Sequence, residues 1–124
     1  MQDTLKITKA LSDASRLRVI VSLAGVHELC VCQVTEMLGL APATVSRHLN
    51  VLQNANLVLS RKDRRWVYYR LSDDFPPLLR QWLMKSLSPS REAADDRKRL
   101  EDMLACGVET QCKPRSNRRT RQGG

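Results

Sequence analysis

The chain has 124 residues, room for one domain with a modest core and short for an enzyme built around a deep cleft. Hydrophobic residues make up 42% and aromatics only 4%, so the core must rest on Leu, Val and Ile packed between helices. A net charge of +8 fits a polyanionic partner, or a chain that is simply kept soluble by its charge.

The opening residues Met1-Gln2-Asp3-Thr4 lack the basic-then-apolar pattern of a signal peptide, and no apolar run is long enough to span a membrane. A cytoplasmic protein with no membrane partner is expected. Residues 4–11 read as a short amphipathic helix with Leu5, Thr8 and Leu11 on one side. A second helix starts after Ser12-Asp13, where Asp13 can cap the exposed backbone amides. It carries Leu17, Ile20, Val21 and Ala24 at helical spacing, and Gly25 stops it. Residues 27–31 are extended. Residues 32–38 form a small helix with Val34, Met37 and Leu38 inward, ended by Gly39.

Pro42 suits the first turn of the next helix, 42–54, whose apolar stripe is Val45, Leu49 and Leu52. Two short helices joined by a Gly-containing turn make a helix-turn-helix. Residues 57–62 and 66–71, rich in β-branched, aromatic and other apolar side chains, flank a charged turn at 63–65 and predict a β-hairpin. A helix over 73–86 presents Leu79, Trp82, Leu83 and Ser86 on one face, with Pro76 and Pro77 in its first turn. Residues 91–105 predict a charged helix with Ala94, Leu100, Met103 and Leu104 as its apolar anchors. Residues 113–124 hold five basic side chains and no acid, and from Gly107 onward the chain is expected to lack order, a non-specific DNA or solubility appendage.

With Val45, Leu49 and Leu52 inward, a helical wheel turns Ala43, Arg47, Asn50 and Asn54 outward, with Thr44 and Ser46 on the flanks. That face is small and polar, and its arginine can pair with guanine in a major groove. His48 lies at the buried boundary, as a packing or phosphate-bonding residue or as a base reader. The hairpin supplies Arg61, Lys62, Arg64 and Arg65 in the position of a wing, where they would hold phosphates or enter a minor groove. The expected fold is therefore mainly α with a small β-hairpin, a winged helix-turn-helix of about five to six helices. Residues 1–90 form its DNA-binding domain, 91–106 a charged C-terminal helix, and 107–124 a basic tail.

Glu28-Leu29-Cys30-Val31-Cys32, followed by Leu38-Gly39-Leu40 and by Ala43-Thr44-Val45-Ser46-Arg47-His48-Leu49, resembles the arsenical-resistance repressor (ArsR/SmtB) family. Ala10-Leu11-Ser12-Asp13-Ala14-Ser15-Arg16-Leu17-Arg18 and the Arg64-Trp66-Tyr68-Tyr69-Arg70-Leu71 pattern match too, so that the likeness covers roughly residues 4–86. The resemblance implies a homodimeric repressor that leaves double-stranded operator DNA on binding arsenite or antimonite. It also implies a dimer interface on the first helix and on the helix after the wing, here through Leu5, Leu11, Leu79, Trp82 and Leu83.

In a reducing cytosol the four cysteines are thiols or metal ligands rather than disulfides. Soft thiolates select soft ions, and trivalent arsenic and antimony take up to three sulfurs in a pyramid. Cys30 and Cys32 are the expected ligands, and Cys32 at a helix start is favoured as thiolate. In a regular helix, residues two apart face nearly opposite ways, whereas in extended chain they share a face. One ion can therefore hold both sulfurs only if the helix start is extended or unwinds. Where many family members have Cys-x-Cys-x-x-Cys, Thr35 stands at the third place. A cellular thiol, a hydroxide, or the further candidates Cys106 and Cys112 would complete the site.

Alternatives on the same fold are a sensor of cadmium, lead or zinc, with His27 and Glu28 near the pair, and a thiol redox switch. Nucleic-acid packaging by the basic tail is a third. No catalytic residues are expected, since no pocket-forming sequence accompanies a Cys–His pair, and no organic cofactor is implied.

Overall fold

The carboxylate of Asp13 accepts hydrogen bonds from the backbone N–H groups of Ser15 (2.8 Å) and Arg16 (3.3 Å), fixing the start of α2 (Ala14–Gly25) directly after α1 (Gln2–Ala10). The computed structural model describes residues 1–106. Burial raises the pKa of Asp13, but those two amide donors and the nearby His48 and Arg16 outweigh it, leaving the pKa lowered.

After α2 the chain forms a short strand, β1 (Leu29–Cys30), then α3 (Val31–Leu38) and α4 (Pro42–Asn54). Gly39 sits between these helices in the left-handed region (φ 67°), where its N–H bonds the Thr35 carbonyl at 2.9 Å and closes α3. Ala41 is extended, and Pro42 at the first helical position of α4 loses no hydrogen bond there. The wing strands are β2 (Val58–Asp63) and β3 (Trp66–Leu71). Only Arg64 and Arg65 separate them, Arg64 adopting a positive φ of 59° in the tight turn.

β3 is the centre of the antiparallel sheet, in the order β1-β3-β2, with Leu29 opposite Tyr69 and Cys30 opposite Tyr68. The expected two-stranded hairpin thus gains a third strand. Two residues suffice because each pairs with a strand already held in place. The core gathers Val19, Ile20, Val34, Leu49, Leu52 and Leu57 between α2, the two helices of the helix-turn-helix and the sheet. Deepest on α2 are Val19, Ile20 and Leu23, while Leu17 and Ala24 are only partly covered. This helix is touched by α4, α5, α6 and β3, so it buries a wide arc rather than one stripe.

Two sequence expectations shift. The helix read over 73–86 is α5 (Pro77–Leu87), and residues 73–76 form a turn that plugs Phe75 into the core. Pro76 and Pro77 supply no N–H and restrict the residues before them, so the helix begins at the second proline. In α6 (Arg91–Cys106) the anchor is Ala93, not Ala94, which is exposed. Asp96, buried at 2% exposure, sets that register by accepting both Nε and Nη2 of Arg18 on α2, at 2.9 and 2.8 Å. Arg18 and Arg99 also donate to the Met37 carbonyl at the C-terminal end of α3, at 3.3 and 2.8 Å. The basic tail and Cys112 lie outside the described residues. Among the described residues, no helix is long and apolar enough to cross a membrane.

Candidate functional site

α4 packs Val45, Leu49 and Leu52 fully inward. Ala43, Ser46, Arg47, Asn50 and Asn54 are exposed, and Thr44 and His48 are half-buried, as the wheel requires. Its outer face is therefore a continuous small and polar surface ending in an unshielded guanidinium. His48 is held from behind: Arg16 Nη1 lies 3.2 Å from its Nδ1, while Arg16 Nε bonds the Ala10 carbonyl at 2.7 Å. Since a guanidinium only donates, Nδ1 of the neutral imidazole accepts and Nε2 carries its proton. Arg16 thus ties the end of α1 to α4, a role that no local pattern in the sequence announces.

The four wing cations divide. Lys62 and Arg64 are exposed, and Arg65 lies over the Trp66 ring at 5.1 Å. Arg61 instead points back along the sheet, its Nε 3.0 Å from Glu28 Oε2 and its guanidinium 4.5 Å over the Tyr68 ring. The Arg61 hydrogen bond holds the Glu28 carboxyl below the usual carboxylate range, with burial opposing it. Glu28 is thereby engaged with the wing, and the exposed His27 stands beside it.

Cys30 is the last residue of β1 and the N-cap of α3, with extended dihedrals (φ −70°, ψ 148°) and 0% exposure. Cys32 lies in the first turn of α3 and is partly exposed, and both are thiols. The pair therefore straddles a strand-to-helix boundary, where the two sulfurs are not forced to opposite sides of a helix. Cys30 and Gln33 form a reciprocal cap, in which Cys30 Sγ accepts from the Gln33 N–H and Gln33 Oε1 accepts from the Cys30 N–H at 2.8 Å. Thr35 Oγ1 donates to the Val31 carbonyl at 2.8 Å, which occupies its hydroxyl in the helix. Among the described residues, no cluster of three or more His, Cys, Asp or Glu side chains is arranged to hold a metal. The Cys106 side chain lies outside the described residues.

Of the expected dimer residues, Trp82 (63%) and Leu5 (45%) are exposed, Leu11 and Leu79 are half-buried, and Leu83 belongs to the chain's own core. Leu78, at 80%, adds to the apolar surface and was missed because it lies one residue off the periodic stripe.

An exposed polar helix in a helix-turn-helix, flanked by a basic β-hairpin, defines a winged helix-turn-helix DNA-binding protein. The family model described as bacterial regulatory protein, arsR family, matches residues 13–60. An arsenic resistance transcriptional regulator of Pseudomonas putida, ArsR2, is 35% identical over 98 residues, 78% of this chain and 85% of that protein. The chain belongs to the ArsR family of bacterial transcriptional regulators.

Other relatives carry different names. A homolog of the cadmium resistance regulatory protein CadC from Staphylococcus aureus is 37% identical over 92 residues, 74% of each chain. The arsenical resistance operon repressor of Escherichia coli is 39% identical over 72 residues, 58% of this chain and 62% of that one. Among solved structures, HlyU from Vibrio cholerae superposes with a TM-score of 0.62 at 27% identity, covering 69% of this chain and 92% of that one. The homodimeric winged helix-turn-helix domain of Mb0332 from Mycobacterium bovis (TM-score 0.58, 24% identity, covering 68% and 75%) shares the fold.

Proposed function

We propose that this regulator binds operator DNA as a homodimer and is released when trivalent arsenic or antimony binds Cys30 and Cys32. The observation that carries the reading is that one of the two thiols is the N-cap of α3, the helix on which the DNA-facing α4 rests. Ligation takes Cys30 Sγ from the Gln33 N–H it accepts and draws Cys32 toward it, so the first turn of α3 opens. Val34, fully buried in that turn, then shifts beneath α4. A coupling of about 2–3 kcal/mol weakens operator binding roughly 30- to 150-fold.

Ala43, Thr44, Ser46, Arg47 and Asn50 read the groove in this scheme, with His48, Lys62, Arg64 and Arg65 on the backbone. Arg61 serves by holding the wing to Glu28. The exposed Leu5, Leu78 and Trp82 supply the dimer face. A third ligand comes from solvent, a small thiol, Cys106 or Cys112.

The resemblance to a cadmium regulator supports a second reading, a sensor of a soft divalent metal on the same thiols. Gel-shift titration on the chain's own promoter with arsenite, antimonite, cadmium and zinc separates the two. Release by the metalloids, abolished by Cys30→Ser with Cys32→Ser, is expected. Release by arsenite that persists in that double variant refutes the proposal, and release by cadmium alone favours the second reading.

A further inference from the structure

Gln33 is 1% exposed at the third position of α3, and its Nε2 has no hydrogen-bond partner. Buried amide donors are nearly always satisfied in folded proteins, because leaving one unpaired is costly. Turning the amide over does not help, since the Cys30 N–H needs an acceptor where Oε1 now stands. The orphaned donor is thus fixed at the start of α3, on the residue that shares a reciprocal cap with Cys30.

Through its Oε1 the Gln33 side chain is tied to the backbone of Cys30, one of the two proposed ligands, and the ligand set lacks a third sulfur. Thr35 stands where a third sulfur would be, and its hydroxyl is committed to the Val31 carbonyl. When As(OH)3 meets two thiols, two As–S bonds form, two As–O bonds break, and the thiol protons leave in two molecules of water. The third As–OH remains and no oxidation state changes. Beside the buried Cys30 and Gln33 its oxygen needs a donor.

We infer that Gln33 Nε2 donates to this retained oxygen, which makes Gln33 a specificity residue favouring oxygen-bearing trivalent metalloids. The inference rests on Cys30 and Cys32 being the ligands. Phenylarsine oxide is the discriminating probe, because its hydrated form loses both oxygens to two thiols and keeps only the phenyl carbon as third substituent.

The ratio of arsenite to phenylarsine oxide affinity is measured for the full chain and for Gln33→Glu, whose carboxylate keeps an acceptor for the Cys30 N–H but has no donor. Gln33→Met, uncharged and also without a donor, guards against charge effects in the first variant. The expected result is a roughly tenfold fall in that ratio in both variants, the size of one lost hydrogen bond in a buried site. An unchanged ratio, with both reagents still dependent on Cys30 and Cys32, overturns the role of Gln33 alone. Three As–S bonds by X-ray absorption on the arsenite-loaded wild-type chain also overturn it, since no oxygen then remains. Binding of both reagents that survives Cys30→Ser with Cys32→Ser overturns the thiol site beneath it.

Discussion

Cys30 lies directly opposite Tyr68 across the β1–β3 strand pair, so the residue whose thiol caps the first helix of the helix-turn-helix is also part of the wing sheet. Tyr68 in turn lies under Arg61, whose guanidinium holds Glu28. Cys30 is therefore joined to both parts of the winged helix-turn-helix, to α4 through α3 and to the hairpin through β3. The cap itself is testable. Cys30→Ser keeps an acceptor for the Gln33 N–H and is expected to leave stability within about 0.5 kcal/mol, whereas Cys30→Val removes it and costs about 1 kcal/mol. Urea unfolding of the two variants checks this.

The Arg18–Asp96 pair predicts an asymmetry. Asp96 has a side-chain exposure of 3% and Arg18 of 28%, so removing the arginine strands a buried carboxylate, while removing the carboxylate leaves a cation that can reach water. Arg18→Met is expected to cost about 3 kcal/mol and Asp96→Ala about 2 kcal/mol, with much of the loss recovered in Arg18→Met with Asp96→Leu. Thermal or urea unfolding of the double-mutant cycle gives the answer. Equal costs for the two single variants would refute the burial argument.

On DNA, the exposed Arg47 and the exposed wing cations are expected to fail differently. Arg47→Ala should lower operator affinity by about 1–3 kcal/mol and flatten discrimination between operator and unrelated duplex. Arg64→Ala should weaken both duplexes alike and reduce the slope of log affinity against log salt by about 1. Arg61→Ala, since Glu28 already neutralises that guanidinium, should change the slope less than Arg64→Ala does. Fluorescence anisotropy across a salt series distinguishes the three.

Part of the acid sensitivity should come from Asp13. Its pKa is lowered from 3.8, so its contribution is fully present above 3.8 and is lost as pH falls through the folded-state value. Asp13→Asn keeps a capping oxygen and is expected to match the wild type within about 0.5 kcal/mol at pH 7. Below pH 3.8 the wild type should lose stability faster than the variant. Denaturant midpoints at pH 3 and pH 7 test it, and parallel loss in both proteins would refute it.

Local chemistry sufficed where a residue acts on its near neighbours. Asp13 caps the helix that starts beside it, Gly39 closes α3, Pro42 opens α4, and Val45, Leu49 and Leu52 repeat at the helical period, so the helix-turn-helix and its outward face could be read from order alone. The thiols were conspicuous for the same reason, as two soft ligands in three residues. What the chain order could not reveal are contacts between residues far apart along it. Strand β1 exists only because β3 is there to pair with it, and the register of α6 turned on Asp96 meeting Arg18, 78 positions away. Arg16 reaches His48 across 32 positions, and Arg61 reaches Glu28 across 33, which is why one wing cation is spent within the fold. Sequence periodicity reports which face of a segment is apolar. Only tertiary packing decides which charges find each other once those faces are buried.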